Sequence, residues 1–161
     1  MIKMMNKLRI GVIPAAGKGI RAYPKSNYMP KVMFRIAGKP IILRNIEILR
    51  DQIGIKNIYI IIGYKGELIK NFLGNGSKLG VKLNYINCRD PSIGLAKGML
   101  LLKGIINEPF VTMLGDEVYI NSNHSEIKNI KFIESQTICG IIETDNPEFI
   151  SKNYSVEIER G

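Results

Sequence analysis

The chain of 161 residues contains no tryptophan, a single histidine and two cysteines. One histidine, His124, excludes a metal centre built from several imidazoles. Cys88 and Cys139 lie far apart with no C-x-x-C spacing, so neither structural zinc nor a dithiol redox pair is indicated. Both read as reduced thiols of a cytoplasmic protein. No apolar run approaches the roughly 18–20 residues that a membrane span requires. The opening MIKMMNKLRI is basic and lacks the continuous apolar stretch of a signal peptide. Internal repeats and low-complexity tracts are absent too. What remains is one globular domain, residues 1–161, long enough to bury a real core.

Acidic residues are scarce in one part only. Residues 1–56 hold 12 Lys or Arg against Glu47 and Asp51, a net +10, whereas the rest of the chain sums to −1. Two readings of that excess stand side by side: a site for a polyanion, or a solubilising surface bias. Nucleic acid is disfavoured as the polyanion, because aromatics do not interleave with the basic residues as a stacking platform needs.

The most informative stretch is residues 11–31, GVIPAAGKGIRAYPKSNYMPK. An apolar run, expected as a first central strand over residues 7–14, breaks into Ala15, Ala16, Gly17, Lys18 and Gly19. Glycines let a backbone turn its N–H groups toward an anion at close range. The basic side chains Lys18, Arg21, Lys25 and Lys31 supply countercharge. A strand followed by a small, basic, glycine-rich loop is a physical means of holding phosphate.

Beyond a loop over residues 15–39, the pattern predicts strands alternating with helices. Pro40 suits the first position of a helix over 41–53, where Ile42, Ile46, Leu49 and Ile53 recur at helical spacing and Gly54 is a stop. KNIYIII (56–62) reads as a strand buried on both faces. A short helix over 66–73, a strand over 80–86, a helix over 94–106 and a strand over 109–114 follow. A helix over 123–134, a strand over 136–143, a turn at DNP (145–147) and a strand over 154–158 complete the reading. Such alternation implies an α/β fold, a Rossmann-like doubly wound, mostly parallel sheet with helices on both faces. Ligands of such sheets bind at the carboxyl ends of the strands, where the glycine loop and Asp116 would both lie. Asp116 itself has two readings, a loop or helix cap and a ligand for Mg²⁺.

The signature AAGKGIRAYPKSNYMPK, continued by VMFRIAGKP, resembles that of the sugar-1-phosphate nucleotidyltransferases, such as the glucose-1-phosphate thymidylyl- and uridylyltransferases, with every spacing kept. Ile20 and Ser26 stand where that family usually has threonines. IIGYKGELIKNFLGNGSKLGVKLNYI (61–86), GLAKGM (94–99) and LGDEVY (114–119) resemble further family segments. The resemblance implies a reaction in which the phosphate of a sugar 1-phosphate attacks the α-phosphorus of a nucleoside triphosphate, UTP or dTTP, and pyrophosphate leaves. It implies Arg21 and Lys31 as catalytic residues on the phosphates. It implies nucleotide contacts at Ala15, Ala16, Gly17, Lys18, Gly19 and Gly94, and Mg²⁺ held by Asp116, with Glu117 a second-rank candidate. No general base is needed, since the attacking phosphate is already ionised, and no nucleophile–base constellation is present.

The family's base-reading Gln is matched here by Cys88 or Arg89, which leaves the base open, and Ser155 replaces a family Gly near the hexose. The opening VIPAAG is closer to the uridylyl than to the thymidylyl enzymes. A related cytidylyl- or guanylyltransferase, and a nucleotide-binding module without turnover, are the alternatives. Family members continue with a Glu-Lys-Pro motif, more strands and a second metal-binding Asp. A fold ending at residue 161 is therefore expected to be a truncated portion that associates with a second copy or a complementing chain.

Overall fold

The computed structural model describes residues 8–129 and 147–148. The first apolar run forms β1 (Ile10–Ala15), almost wholly buried because it lies inside the sheet. Residues 16–34 wind through three short 3₁₀ turns, Ile20–Ala22, Lys25–Asn27 and Lys31–Met33. A small antiparallel hairpin of β2 (Arg35–Ile36) and β3 (Lys39–Pro40) follows within the expected loop.

Helix α1 (Ile41–Glu47) continues in wider π-type turns over Ile48–Ile53 and stops at Gly54, whose φ of 83° suits a residue without Cβ. Pro40 stands just before the helix, with extended ψ, rather than at its first turn. β4 (Asn57–Ile62), α2 (Gly66–Leu73) and β5 (Lys82–Asn87) fall where the apolar pattern and the flanking glycines put them. α3 (Gly94–Leu100) and β6 (Phe110–Thr112) complete the regular elements among the described residues.

β5, β4, β1 and β6 lie side by side in that order, all parallel. One face carries α1, the π-type turns and α2: Ile42, Ile46, Leu49, Ile69 and Leu73 pack on Ile13, Ile58, Ile60 and Ile62. The other face carries α3 and the turns after it, with Met99 and Leu102 on Ile10, Val12 and Ile61. Burying a side chain such as Ile42 or Ile46 contributes about 1.5–3 kcal/mol. The chain steps outward from β1 to β4 to β5, crosses the sheet through α3, and returns to the opposite side of β1. Right-handed crossovers require that change of face. The boundary between β1 and β6 is thus the point where the winding reverses.

Besides the place of Pro40, three sequence expectations are corrected. The helix over 94–106 ends at Leu100; residues 101–105 are turns, and Gly104 adopts a φ of 80° that a helix excludes. The helix over 123–134 begins instead as a 3₁₀ turn over His124–Asn129. Ala15 is the last residue of β1, paired with Ile62, not the first of the loop. The rest of the 123–134 segment, the strands over 136–143 and 154–158, Cys139 and Ser155 lie outside the described residues, as does the DNP turn apart from Pro147.

Candidate nucleotide-binding site

The ends of three neighbouring strands meet around the glycine loop. The Ala16 carbonyl accepts the Tyr64 N–H at 3.0 Å just past β4, and the Ile62 carbonyl accepts the Cys88 N–H at 2.7 Å just past β5. On the other side, the Pro14 carbonyl accepts the Gly115 N–H at 3.2 Å. Gly115 is required there, since a Cβ would stand 2.6 Å from the Pro14 carbonyl oxygen. The loop after β1 is therefore clamped between its neighbours, and its tip, Gly17 and Lys18, is left exposed.

Gly19 takes a left-handed conformation, φ 64° and ψ 41°, which turns the chain into the first 3₁₀ turn. Its α-carbon rests against Lys31: a Cβ would lie 3.3 Å from Lys31 Cβ and 3.6 Å from Ser26 Cβ. Ser26, in the place of a family threonine, is buried beneath the loop, while Ile20, in the place of the other, is 78% exposed. Lys31 extends from this contact to Asp116, with Nζ 2.7 Å from Oδ2. Both side chains are about two-fifths exposed, so the ion pair adds only about 0–1 kcal/mol to stability and serves to orient.

The candidate residues separate into groups. Gly19, Lys31 and Asp116 come together across the point where the winding reverses, while Gly17 and Lys18 form the exposed loop tip, with the Lys18 charge felt by Asp90. Arg21 lies on the exposed 3₁₀ turn beside them and has no ion-pair or hydrogen-bond partner among the described residues. Lys25 is turned away, its ammonium 4.8 Å from the centre of the Phe34 ring. The backbone of Ala15 is taken up in the sheet. Gly94 opens α3 at a φ of 79°, exposed, with open space where a Cβ would be.

The segment from 88 to 93 resolves which residue faces outward. Cys88 is buried, and its thiol donates to the Asp90 carbonyl at 3.2 Å. Arg89 is exposed. Asp90 accepts both the N–H and the hydroxyl of Ser92, at 2.9 and 2.5 Å. Those bonds hold its carboxyl below the usual carboxylate range, and the Lys18 charge adds to the effect. A further cleft of about 360 Å³ opens at the ends of β4 and β5, lined by Ile62, Gly63, Gly66, Leu68 and Asn87 among others. It excludes Arg21, Lys31 and Asp116 but adjoins Ala16, because a Cβ on Gly63 would stand 2.9 Å from the Ala16 carbonyl.

Two residues beyond the sequence reading belong to this region. Asn45 of α1 is fully buried and donates from Nδ2 to the Leu114 carbonyl at 2.9 Å. A polar residue on the helix's buried stripe, between Ile42 and Leu49, was the available signal. Tyr119 donates to Glu117 Oε2 at 2.9 Å. Burial, with Glu117 adding, pushes the Tyr119 hydroxyl well above its ordinary value. Glu117 is thereby engaged by a neighbour rather than by Lys31.

Among the described residues no three His, Cys, Asp or Glu side chains gather to hold a metal. Asp116 alone, exposed at a strand end, fits Mg²⁺ of the kind that keeps its waters and substrate phosphates and takes one or two protein carboxylates. No helix among the described residues is long and apolar enough to cross a membrane.

Comparison with known proteins bears on this geometry. The sequence pattern described as nucleotidyl transferase matches residues 10–149. The chain is 32% identical to the bifunctional protein GlmU of Methanococcus vannielii over 151 residues, 93% of this chain and 32% of that protein. It is 34% identical to the UTP–glucose-1-phosphate uridylyltransferase AglF of Haloferax volcanii over 116 residues, 72% of this chain and 46% of the relative. Among solved structures, a protein assigned as a glucose-1-phosphate thymidylyltransferase from Bacillus anthracis superposes with a TM-score of 0.67 at 27% identity. That match covers 74% of this chain and 49% of the other. A UDP-glucose pyrophosphorylase bound to UDP-glucose shares the fold, with a TM-score of 0.63 at 22% identity, over 76% of this chain and 52% of the other. The chain thus spans from about a third to about half of the length of these relatives. The parallel sheet, the spacing of the glycine loop and these matches agree: the chain belongs to the nucleotidyl transferase family, among the sugar-1-phosphate nucleotidyltransferases.

Proposed function

We propose that this chain carries the nucleotide-binding and activating half of a sugar-1-phosphate nucleotidyltransferase, with UTP as the favoured triphosphate and glucose 1-phosphate as the favoured sugar. The observation that carries the proposal is the contact chain from Gly19 through Lys31 to Asp116, which joins the glycine loop to the acid across the β1/β6 boundary. The lean toward UTP rests on the likeness to AglF and on the VIPAAG opening. dTTP is the nearest competitor.

In the reaction, an oxygen of the sugar phosphate attacks the α-phosphorus while the bond to the bridging oxygen of pyrophosphate breaks. The attacking group is already anionic, so the barrier is charge repulsion and the charge that builds on the leaving group. The N–H groups around Gly17, Lys18 and Gly19 would cradle the triphosphate, which must enter at the exposed loop tip. Arg21, without a partner among the described residues, would swing onto the β- and γ-phosphates. Lys31 would exchange its carboxylate partner for phosphate oxygens as the nucleotide arrives. Gly94 would border the base. Asp116 would hold Mg²⁺, which when bound neutralises phosphate charge and aligns the leaving group. The buried thiol of Cys88 suits a reducing cytoplasm.

The test is pyrophosphate release with Mg²⁺ and UTP, dTTP, CTP, GTP or ATP in turn, each with and without a sugar 1-phosphate. Release that needs both substrates and is greatest with UTP is expected. Release independent of the sugar, or confined to another base, overturns the corresponding part of the proposal. A second reading, a triphosphate-binding module without turnover, is favoured by the share of the relatives' length covered. It predicts Mg²⁺-dependent UTP binding with no pyrophosphate, and turnover restored by a second copy or a complementing chain.

A further inference from the structure

Asn45 is the fully buried polar side chain of α1, on a helix face otherwise made of Ile41, Ile42, Ile46 and Leu49. Its Nδ2 donates across 69 positions of sequence to the carbonyl of Leu114, two residues before Asp116. Its Oδ1 is buried and has no hydrogen-bond partner among the described residues. The reverse orientation of the amide would set carbonyl against carbonyl. A buried acceptor left unpaired is a cost that an apolar side chain of the same size would avoid. The Leu114 carbonyl, for its part, also lies 3.3 Å from the Glu117 N–H. The one hydrogen bond the amide makes is thus offset by the acceptor it leaves unpaired, and stability alone gives little reason for an asparagine here.

The amide does have a consequence for the site. Past Thr112 the β6 chain leaves regular pairing, and the segment from Met113 to Asp116 is held by few bonds. Met113 and Gly115 donate to Val12 and Pro14 on the β1 side, and Asn45 takes the intervening carbonyl from the helix side. Alternate peptide groups are thus fixed from two directions, which sets where the chain delivers the Asp116 carboxylate. We propose that Asn45 is a positioning residue: it fixes the strand end so that Asp116 meets the metal carried by the nucleotide. This rests on the reading of Asp116 as the Mg²⁺ ligand given above. Partners one step removed from a metal ligand are commonly worth about 10–100-fold in metal affinity.

The experiment uses Asn45→Leu and Asn45→Asp, with Mn²⁺ as a paramagnetic probe and the α,β-methylene analogue of UTP as the non-reacting nucleotide. Three quantities are read: thermal midpoint, affinity for the analogue alone, and affinity for Mn²⁺ in its presence. Asn45→Leu is expected to keep the wild-type midpoint or exceed it and to bind the metal-free analogue within about twofold of wild type. Its Mn²⁺ affinity is expected to fall by about tenfold or more. Asn45→Asp, which sets a carboxylate against the Leu114 carbonyl, is expected to lose at least as much Mn²⁺ affinity. Unchanged Mn²⁺ affinity in both variants would overturn the proposal while leaving the role of Asp116 intact. Failure of Asn45→Leu to fold would make the amide structural and overturn it as well. A wild-type protein that binds the analogue but shows no Mn²⁺ effect removes the reading on which the proposal rests.

Discussion

At the scale of single residues, the site is decided by a few side chains that the fold leaves free and a few it commits. Arg21 has no ion-pair or hydrogen-bond partner among the described residues and Lys31 has only an exposed one, so neither side chain is held by more than a weak pairing. Arg21→Ala and Asp116→Asn are each expected to lower kcat/KM on the order of 10²-fold or more, measured by coupled pyrophosphate detection. A loss below threefold in either would remove that residue from the mechanism. Gly115→Ala is a different kind of change. The added methyl would be driven into the Pro14 carbonyl oxygen, and the strand end must shift. A destabilisation of about 1–3 kcal/mol is expected from urea unfolding midpoints. Much of this was legible in sequence. The glycine loop, Lys31 and Asp116 are recognisable from residue type and spacing. Their contact was not, because 85 positions separate Lys31 from Asp116 and only the sheet order brings them together. That Cys88 faces inward and Arg89 outward was likewise beyond the sequence, since no periodicity covers the turn that follows β5.

At the scale of elements, the regular pieces follow from periodicity and the irregular ones do not. α2 and β4 match their apolar patterns almost residue for residue. α3 stops six residues early, because its apolar residues run on past Leu100 while Gly104 needs a left-handed backbone. The hairpin of β2 and β3 is too short for any period to register. α1 is the element that supports the site. Ile46→Ala, which empties a fully buried position between α1 and the sheet, is expected to cost about 2–5 kcal/mol by chemical denaturation. The 3₁₀ turn from His124 offers a cleaner probe. His124 packs edge-on against Tyr119 at 4.9 Å, and burial holds its imidazole below the ordinary histidine value. The unfolded chain then binds the proton more readily than the folded one. The associated stability is fully present above the unfolded value and is lost as the pH falls through the folded one. As the chain has one histidine, its ring protons titrate alone in a proton NMR spectrum, and a midpoint below 6.5 is expected. A midpoint above that value would contradict the packing of this turn.

At the scale of the whole molecule, the doubly wound sheet explains why the candidate residues gather at one place. Loops from β1 and β6 are brought side by side only because the chain reverses its winding between them. The excess of positive charge in residues 1–56 falls on the part that holds the glycine loop, which under the proposed function would draw in a polyanionic substrate. The most direct test is transfer of label from UTP carrying ³²P at the α-position to glucose 1-phosphate, catalysed by the chain with Mg²⁺ and compared with its Asp116→Asn variant. Labelled UDP-glucose formed by the wild type, lost without Mg²⁺ and at least about 10²-fold slower in the variant, is the predicted result. Equal transfer by both proteins, or no transfer and no Mg²⁺-dependent binding of any triphosphate by the wild type, would contradict it.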